Sequence, residues 1–282
     1  MSANDMSFLH LSDPHIERQG EHYWGVQDGY LQTQRVLDHM REYGGEPAFC
    51  LITGDLVQDD GAAYPRLKEM VEKFQAAFNV PVLLALGNGD VIGPFRQFVL
   101  GEVNPNPNQR YYYSQIINGL KIIVLDSHSE KPRLHDGQLD EVQLEWLRNE
   151  LTVVPEMDHL IALHHMPGPV VASPYYHHEL RNASELAEII TGHNIIGILA
   201  GHQHTAYMTT FAGIPCAIAN GICNALLWSY SKRQHHYLVA PGYNLVHIRD
   251  RKMLVQFIDL PGDKALLQAT GENDELLGRN ND

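Results

Sequence analysis

Five short segments of the 282-residue chain carry side chains of the kinds that bind metal ions. Each segment follows a short apolar run and contributes carboxylate, imidazole or amide groups. The segments are Asp13-Pro14-His15, Gly54-Asp55, Gly87-Asn88, His164-His165 and Gly201-His202-Gln203-His204. Mixed nitrogen and oxygen ligands of this kind suit Mn, Fe or Zn. The sequence therefore predicts a metal site assembled from residues that are far apart in the chain.

The number of candidate ligands indicates two ions rather than one. The seven donors are Asp13, His15, Asp55, Asn88, His164, His202 and His204. Two ions a few ångströms apart that share a carboxylate would clamp the oxygens of a phosphoryl group and supply a nucleophilic hydroxide. The prediction depends on the joint occurrence of the segments, because Gly-Asp after a strand is by itself commonly only a turn.

The apolar runs before the first three segments predict strands at Phe8–Leu11, Phe49–Ile52 and Val82–Leu86. Helical spacing of apolar residues separates them, from Val26 to Met40 and from about Ala62 to Phe78. This alternation indicates parallel strands with right-handed crossovers. In open sheets of this kind, sites form where the strand ends meet the loops.

The second half of the chain predicts a further set of strands. Tyr111–Ile117 and Leu120–Leu125 flank Asn118-Gly119, which is a strong hairpin signal. Further strands are predicted at Leu160–Leu163, Ile195–Leu199, Ala206–Ala219, Tyr243–Ile248 and Leu254–Leu260, with helices at about Asp140–Leu151 and Asn182–Thr191. We expect one α/β domain over residues 1–282, with two packed sheets and outer helices. Residues 224–242 would form a loop or small cap over the site, and about 270–282 a frayed tail.

The amino-acid composition limits the classes of partner that the protein is expected to bind. Twenty Lys and Arg against 34 Asp and Glu give a net charge of −14, which disfavours a nucleic-acid partner. Three scattered cysteines are too few for a disulfide framework or a thiolate zinc site and indicate reduced thiols. No apolar run is long enough for a membrane span, and the polar N-terminus does not resemble a signal peptide. We therefore expect a cytoplasmic protein that has no membrane partner.

The motif series resembles one known family. It consists of Asp13-x-His15, Gly54-Asp55, Gly87-Asn88-x-Asp90, His164-His165-x-Pro167 and Gly201-His202-x-His204. This order is similar to that of the calcineurin-like metallophosphoesterases, in particular their bacterial class III cyclic-nucleotide and glycerophosphodiester phosphodiesterases. The resemblance implies a four-layer α/β/β/α sandwich of two mixed β-sheets flanked by helices, with a dinuclear metal site at one end.

The resemblance also implies how the ligands are shared. Asp13, His15, Asp55 and His204 would hold one divalent ion, and Asp55, Asn88, His164 and His202 the other. Asp55 would bridge the two. His164 is preferred to His165 as the ligand because it directly follows the strand. His165 would then face the substrate or pack behind the site.

One position departs from the family pattern. The family has Gly-Asn-His-Asp where this chain has Gly87-Asn88-Gly89-Asp90. The absent histidine usually contacts the phosphate and assists the leaving group, with the aspartate supporting it. Three explanations are open: another donor (His22, His128 or His165) replaces it, the chain is an inactivated or specialised relative, or the position was altered deliberately.

These considerations predict a metal-dependent hydrolase of a small phosphodiester, acting through metal-bound hydroxide. Asn88, Asp90 and His165 are the expected catalytic residues. The expected substrate-binding residues are His22, His128, Tyr176 and His177, although the histidine and aromatic clusters equally suit a dimer contact in a homo-oligomer. The alternative function is a weakened or inactive relative that binds metal and nucleotide, which Gly89 favours and the complete ligand set disfavours.

Overall fold

The computed structural model describes residues 5–58, 61–128, 136–168 and 179–261, together with the backbone of 266–271. Its helices are α1 (Gly29–Tyr43), α2 (Tyr64–Phe78), α3 (Ile92–Phe98), α4 (Glu141–Val153) and α5 (Ala183–Ile190). Its strands are β1 (Met6–Leu11), β2 (Cys50–Thr53), β3 (Val82–Ala85), β4 (Tyr113–Ile117), β5 (Leu120–Val124), β6 (Asp158–Ala162), β7 (Ile195–Ala200), β8 (Tyr207–Phe211), β9 (Ile214–Ile218), β10 (Ala225–Ser229), β11 (Gln234–Leu238), β12 (Gly242–Arg249), β13 (Lys252–Asp259) and β14 (Leu266–Gly271).

The first sheet has the strand order β13-β12-β1-β2-β3. Strands β1, β2 and β3 are parallel, as predicted, with Leu9 opposite Cys50 and Ile52 opposite Leu84. Strand β12 pairs antiparallel with β1, and β13 pairs antiparallel with β12 at the edge of the sheet. The carboxyl ends of β1, β2 and β3 therefore lie along one edge of the sheet, where the first three candidate segments begin.

The second sheet has the order β4-β5-β6-β7-β9-β8. The predicted hairpin joins β4 and β5, and its turn residues Asn118 and Gly119 have φ of 48° and 80°. Positive φ at both positions is what a tight turn between twisted strands requires, and Asn-Gly provides it with little strain. Strands β5, β6, β7 and β9 are parallel, so the ends of β6 and β7 also share one edge.

Three separate apolar clusters show four layers. One lies between the first sheet and helices α1, α2 and α3, with Leu11, Val36 and Phe74 among its members. A second lies between the second sheet and helices α4 and α5. The third packs the two sheets against each other and includes Phe8 and Leu160. Successive strand residues alternate between two of these clusters, which is why the strands are apolar throughout. The α/β/β/α sandwich of mixed sheets is confirmed.

Two features were not predicted. Helix α3 is short and contains Gly93-Pro94, which hides its periodicity. Strands β10 and β11, within the segment 224–242, form an antiparallel hairpin that β14 extends to a third strand. The expectation that residues 1–282 form a single domain with this segment as a cap stays a prediction. No described helix has the length and apolar character needed to cross a membrane.

Candidate metal centre

Loops from both sheets carry the candidate ligands to one place. The loop after β1 is tied to the loop after β2, because the amides of Asp13 and His15 donate to the carbonyls of Gly54 (3.1 Å) and Asp55 (3.0 Å). In the second sheet, the amide of Gly201 donates to the carbonyl of His164 at 3.0 Å. The amide of His202 then donates to Asp13 Oδ2 at 3.0 Å, which joins the two sheets.

The backbone at these residues is unusual. Asp13, His15, Asp55, His202 and His204 all have positive φ, between 42° and 68°. A left-handed conformation is uncommon for a residue with a side chain and persists only where the surroundings impose it, frequently at functional sites. Here the left-handed conformation turns the backbone sharply after each strand, so that the side chains converge.

The first group of donors surrounds Asp13. Its Oδ1 lies 3.2 Å from His204 Nε2 and 3.9 Å from His15 Nε2. The two imidazole nitrogens are 3.2 Å apart, and His15 Nε2 is 3.6 Å from Asp55 Oδ2. Asp13 is completely buried, and His15 is 2% exposed. The arrangement is a compact set of two carboxylates and two imidazoles.

The second group lies on the other side of Asp55. His164 Nε2 is 3.4 Å from Asp55 Oδ1 and 3.1 Å from His202 Nδ1. The two oxygens of Asp55 therefore face different imidazoles, Oδ2 towards His15 and Oδ1 towards His164. A carboxylate placed in this way can bind two ions at once.

The donor spacing fits metal ions. Two nitrogens bound about 2.1 Å from one ion, at angles of roughly 90–110°, lie roughly 3.0–3.4 Å apart. The pairs His15–His204 and His164–His202 are separated by 3.2 and 3.1 Å. Donor atoms of Asp13, His15 and His204 all lie within 4.8 Å of one another, and so do those of Asp13, Asp55 and His164. These residues fit two ions.

Hydrogen bonds behind the ligands set the direction of their rings. His164 Nδ1 lies 2.6 Å from the carbonyl of Thr53, and His204 Nδ1 lies 3.0 Å from the carbonyl of Asn224. A carbonyl only accepts, so each Nδ1 carries a proton and each Nε2 faces the cluster, where it can bind an ion once it is deprotonated. His15 Nδ1 is 2.9 Å from Gln58 Oε1, an arrangement of the same kind.

The electrostatics favour ionised carboxylates in the cluster. Burial alone would raise the pKa of Asp55, but His164 and His15 hold that pKa well below its ordinary value. Burial likewise opposes ionisation of Asp13, and His204 outweighs it and lowers the pKa. Burial would lower the pKa of His164, but Asp55 raises it to about 9. Carboxylates that remain ionised when buried provide the negative charge that a cation needs.

The loop of residues 87–89 lies directly against the shared carboxylate. The amide of Gly89 donates to Asp55 Oδ1 at 2.7 Å. A Cβ at Gly87 would lie 2.3 Å from the same oxygen, so only glycine permits this approach. Asn88, the expected amide ligand, lies between these two contacts and is half-buried. Its role as a ligand and catalytic residue stays a prediction.

Asp90 lies one step behind the site. Its carboxylate accepts from the amides of Leu56 (3.1 Å), Val57 (3.2 Å) and Gly87 (2.9 Å), and from the hydroxyl of Tyr64 (3.3 Å). Burial and the neighbouring Asp55 raise the pKa of Asp90 to about 7. Asp90 therefore joins the loops after β2 and β3, and its expected catalytic role stays a prediction.

His165 is fully buried beside the second group. Its ring centroid is 4.6 Å from that of His202 and 4.9 Å from that of His164. A ring nitrogen of His165 also lies within 4.8 Å of donor atoms of both histidines. The geometry thus brings both members of the His164-His165 pair to the cluster.

The expected substrate residues are more dispersed. His22 is exposed, and its neighbour Tyr23 stacks on the ring of His15 with 4.4 Å between centroids. His128 is half-buried, and its backbone is held by Asp126 and Arg110. Among the described residues, the contacts of His22 and His128 do not reach the Asp/His cluster. Tyr176 and His177 lie outside the described residues.

The residues that orient the ligands carry little signal in the sequence. Thr53 and Gln58 flank Gly54-Asp55, and this proximity is the only signal that could have indicated them. Asn224 acts on His204 from 20 residues away, and Tyr23 packs on His15 from a loop. The sequence patterns carried no signal for these two contacts.

The fold and the cluster define a class: a two-sheet sandwich whose strand ends carry Asp and His residues able to hold two metal ions. The family model described as calcineurin-like phosphoesterase matches residues 6–206. The chain belongs to this family, which hydrolyses phosphoesters and uses dinuclear metal sites. The predicted family and enzyme class are confirmed.

Two proteins of similar sequence are named as cyclic nucleotide phosphodiesterases or cAMP/cGMP phosphodiesterases. A probable cyclic nucleotide phosphodiesterase of Rhodococcus erythropolis is 36% identical over 89% of this chain and 83% of that protein. A cAMP/cGMP dual specificity phosphodiesterase of Mycobacterium tuberculosis is 32% identical over 93% of this chain and 82% of that protein. The structure of a dimetal phosphatase from Danio rerio superposes with a TM-score of 0.58 at 16% identity, covering 90% of this chain and 99% of that chain, which supports the fold alone.

Proposed function

We propose that the protein is a dinuclear-metal-dependent phosphodiesterase that hydrolyses a small diester, with cyclic nucleotides as the first substrates to test. The names of its relatives support the substrate class. The net charge of −14 supports a small substrate over a nucleic acid. The cytoplasmic location and the homo-oligomer expected from the sequence stay predictions.

The observation that carries the proposal is the position of Asp55 between two groups of imidazoles. Asp13, His15, Asp55 and His204 would hold one ion, and Asp55, Asn88, His164 and His202 the other. When bound, the ions, for which Mn, Fe and Zn are the candidates, supply Lewis acidity and an activated water to the reaction. The protein orients the ligand rings through Thr53, Asn224 and Gln58.

In this proposal, Asn88 and His165 lie where a phosphoryl group would bind, and Asp90 positions the loop that carries Asn88. The ions offset local negative charge at the site, so the acidic chain does not oppose an anionic substrate. The β10–β11 hairpin would form one wall, because Asn224 directly before it accepts from His204 and Tyr237 contacts Trp24 edge-on at 4.6 Å between centroids.

The structure around Gly89 leaves little space for a side chain. A Cβ at this position would lie 2.9 Å from the carbonyl oxygen of Val57 and 3.1 Å from Gln58 Oε1. A side chain there requires a small shift of the backbone at Val57 and of the Gln58 side chain. Simple restoration of histidine at position 89 is therefore expected to disturb Gln58 and His15.

The test is hydrolysis of bis(p-nitrophenyl) phosphate with Mn²⁺, followed by cyclic nucleotides, glycerophosphodiesters and simple monoesters. We expect Asp55→Asn to lower kcat by at least about 10²-fold, because the variant loses the shared carboxylate. Asp38→Asn is the matched control, since Asp38 is an exposed residue of α1. Metal binding without turnover in the wild type would support the alternative, an inactive relative that binds metal and nucleotide, and overturn the proposal.

A further inference from the structure

Two adjacent histidines follow β6, and their Nδ1 atoms have hydrogen-bonding partners of different kinds. His164 Nδ1 lies 2.6 Å from the carbonyl oxygen of Thr53, which can only accept. His165 Nδ1 lies 2.8 Å from the hydroxyl oxygen of Ser127, which can donate or accept. Ser127 follows β5, the strand beside β6, and is completely buried.

The direction of the second hydrogen bond follows from the other contact of Ser127. The main-chain amide of His165 donates to Ser127 Oγ at 3.2 Å, so this oxygen already acts as an acceptor. Within the described ranges, the acceptor that the Ser127 hydroxyl proton reaches is His165 Nδ1. If Nδ1 donated instead, the buried hydroxyl proton would have no acceptor among the residues that the structure describes, which is unfavourable. The hydroxyl therefore donates to Nδ1, and the neutral ring carries its proton on Nε2.

The loop beyond β5 holds the ring of His165 in this position. A Cβ at Gly137 would lie 2.5 Å from His165 Cγ and 2.7 Å from Nδ1. The glycine thus allows the backbone to press directly on the imidazole. On another side the ring of His202 lies at 4.6 Å between centroids. With packing on both sides, the ring cannot readily turn to exchange its two nitrogens.

We propose that Ser127 is a positioning residue that keeps the proton of His165 on Nε2 and thereby makes His165 a hydrogen-bond donor of the site rather than a metal ligand. An imidazole nitrogen that carries a proton has no lone pair for an ion. The neighbouring His164 carries a proton on Nδ1, so Nε2 is its nitrogen available to an ion. The inference rests on the proposed function in one respect: the acceptor is a phosphoryl oxygen of the substrate.

The proton on His165 Nε2 also offers a replacement for the histidine that the family pattern has at the position of Gly89. The family pattern implies a histidine donor on the loop after β3, and Gly89 has no side chain to supply one. A protonated Nε2 on His165 supplies a donor from the loop after β6. Ser127, which follows a strand of the second sheet whereas Gly89 follows a strand of the first, decides whether that donor exists.

The tautomer is measured directly by long-range ¹H–¹⁵N NMR of protein labelled with ¹⁵N-histidine, both metal-free and loaded with diamagnetic Zn²⁺. His165→Gln assigns the signal. We expect the Nε2–H form in the wild type and in Ser127→Thr, and a mixture of tautomers in Ser127→Ala. An Nδ1–H form in the wild type, or an unchanged spectrum in Ser127→Ala, would overturn the inference even in an active enzyme.

Metal content and kinetics test the consequence. We expect His165→Gln to retain two ions per chain and His164→Gln to lose one. Ser127→Ala should lower kcat for bis(p-nitrophenyl) phosphate by about 10-fold or more with a smaller change in KM, and Ser127→Thr should restore it. Ser114→Ala is the matched control, because it removes a serine hydroxyl in β4 that donates to Glu150 of α4, away from the cluster. Loss of an ion in His165→Gln would refute the inference, whereas absence of wild-type turnover with the expected tautomer would refute only the proposed function.

Discussion

His10 lies in β1 behind the metal centre and is completely buried among polar groups. Its Nδ1 accepts from the Asn244 amide at 3.1 Å, so its Nε2 donates to Thr53 Oγ1 at 3.0 Å. The Thr53 hydroxyl in turn donates to the carbonyl of Leu11 at 3.2 Å. Because the Thr53 carbonyl orients His164, a neutral His10 stabilises the residue that directs a candidate ligand.

The neutral state of His10 makes folding sensitive to acid. Burial lowers the pKa of His10 from 6.5 to about 3, partly opposed by Asp13. The unfolded chain therefore binds a proton below about pH 6.5 that the folded chain does not, and stability falls as the pH decreases from about 6.5 towards 3. At pH 5 the proton taken up by His10 in the unfolded chain should lower the free energy of unfolding by about 2 kcal/mol relative to pH 7.5. The measurement is the free energy of unfolding in urea at pH 7.5 and pH 5, in EDTA.

His10→Gln should be less stable than the wild type at pH 7.5 but lose less stability on acidification. His193→Gln is the matched control, since His193 is a half-buried residue beyond α5. Equal losses in the wild type and His10→Gln would show that His10 does not cause the acid sensitivity.

The ligand residues also show the limit of prediction at this scale. Asp13, Asp55, His164 and His202 could be selected because each follows an apolar run that predicts a strand. Their left-handed backbone and the partners of their rings depend on tertiary contacts. Thr53 and His164, for example, meet across 111 positions of sequence.

Helix α1 begins beside the candidate metal centre. Asp28 caps the helix by accepting from the amide of Leu31 at 3.0 Å. A Cβ at Gly29, its first residue, would lie 2.2 Å from the carbonyl oxygen of Pro14 and 2.4 Å from that of His15. The helix thus begins in contact with the loop that carries Asp13 and His15.

Gly29→Ala should destabilise the protein by about 1–3 kcal/mol, because the added methyl group overlaps the backbone. It should also weaken metal binding by displacing the loop of His15. Urea unfolding and isothermal titration with Mn²⁺ measure the two effects. Gly93→Ala in α3 is the matched control, since among the described residues its Cβ would meet Pro107 alone, at 3.3 Å or more. An unchanged metal affinity in Gly29→Ala would contradict this coupling.

The elements themselves were predicted where one physical signal dominated. Buried parallel strands have continuous apolar runs, and Asn118-Gly119 marks its hairpin by the need for positive φ. Helix α3 and the β10–β11 hairpin lacked such a signal. The hairpin is stabilised by pairing with β14, a distant segment whose partner no local pattern reveals.

At the scale of the whole molecule, the candidate ligands join the two sheets. Asp13 and Asp55 follow strands of the first sheet, and His164 and His202 follow strands of the second. Ions held by both sets bind only the folded sandwich and should stabilise it.

Replacing EDTA with Mn²⁺ at 100 times its Kd should therefore raise the unfolding free energy by about 2.7 kcal/mol for each site. In thermal unfolding, this should shift Tm by roughly 5–10 °C for one site. Asp13→Asn should lose at least half of the shift, whereas Asp38→Asn should retain it. A shift of the same size in Asp13→Asn would show that Mn²⁺ stabilises the protein elsewhere.

The strand order has a consequence for biosynthesis. Strand β1 lies between β2 and β12. One edge of β1 therefore stays unpaired until residues 242–249, near the other end of the chain, have been synthesised. At about 5–20 residues per second, a ribosome needs roughly 10–50 s to deliver them. During that interval the nascent chain exposes an unpaired strand edge, which is the kind of surface that chaperones and aggregation compete for.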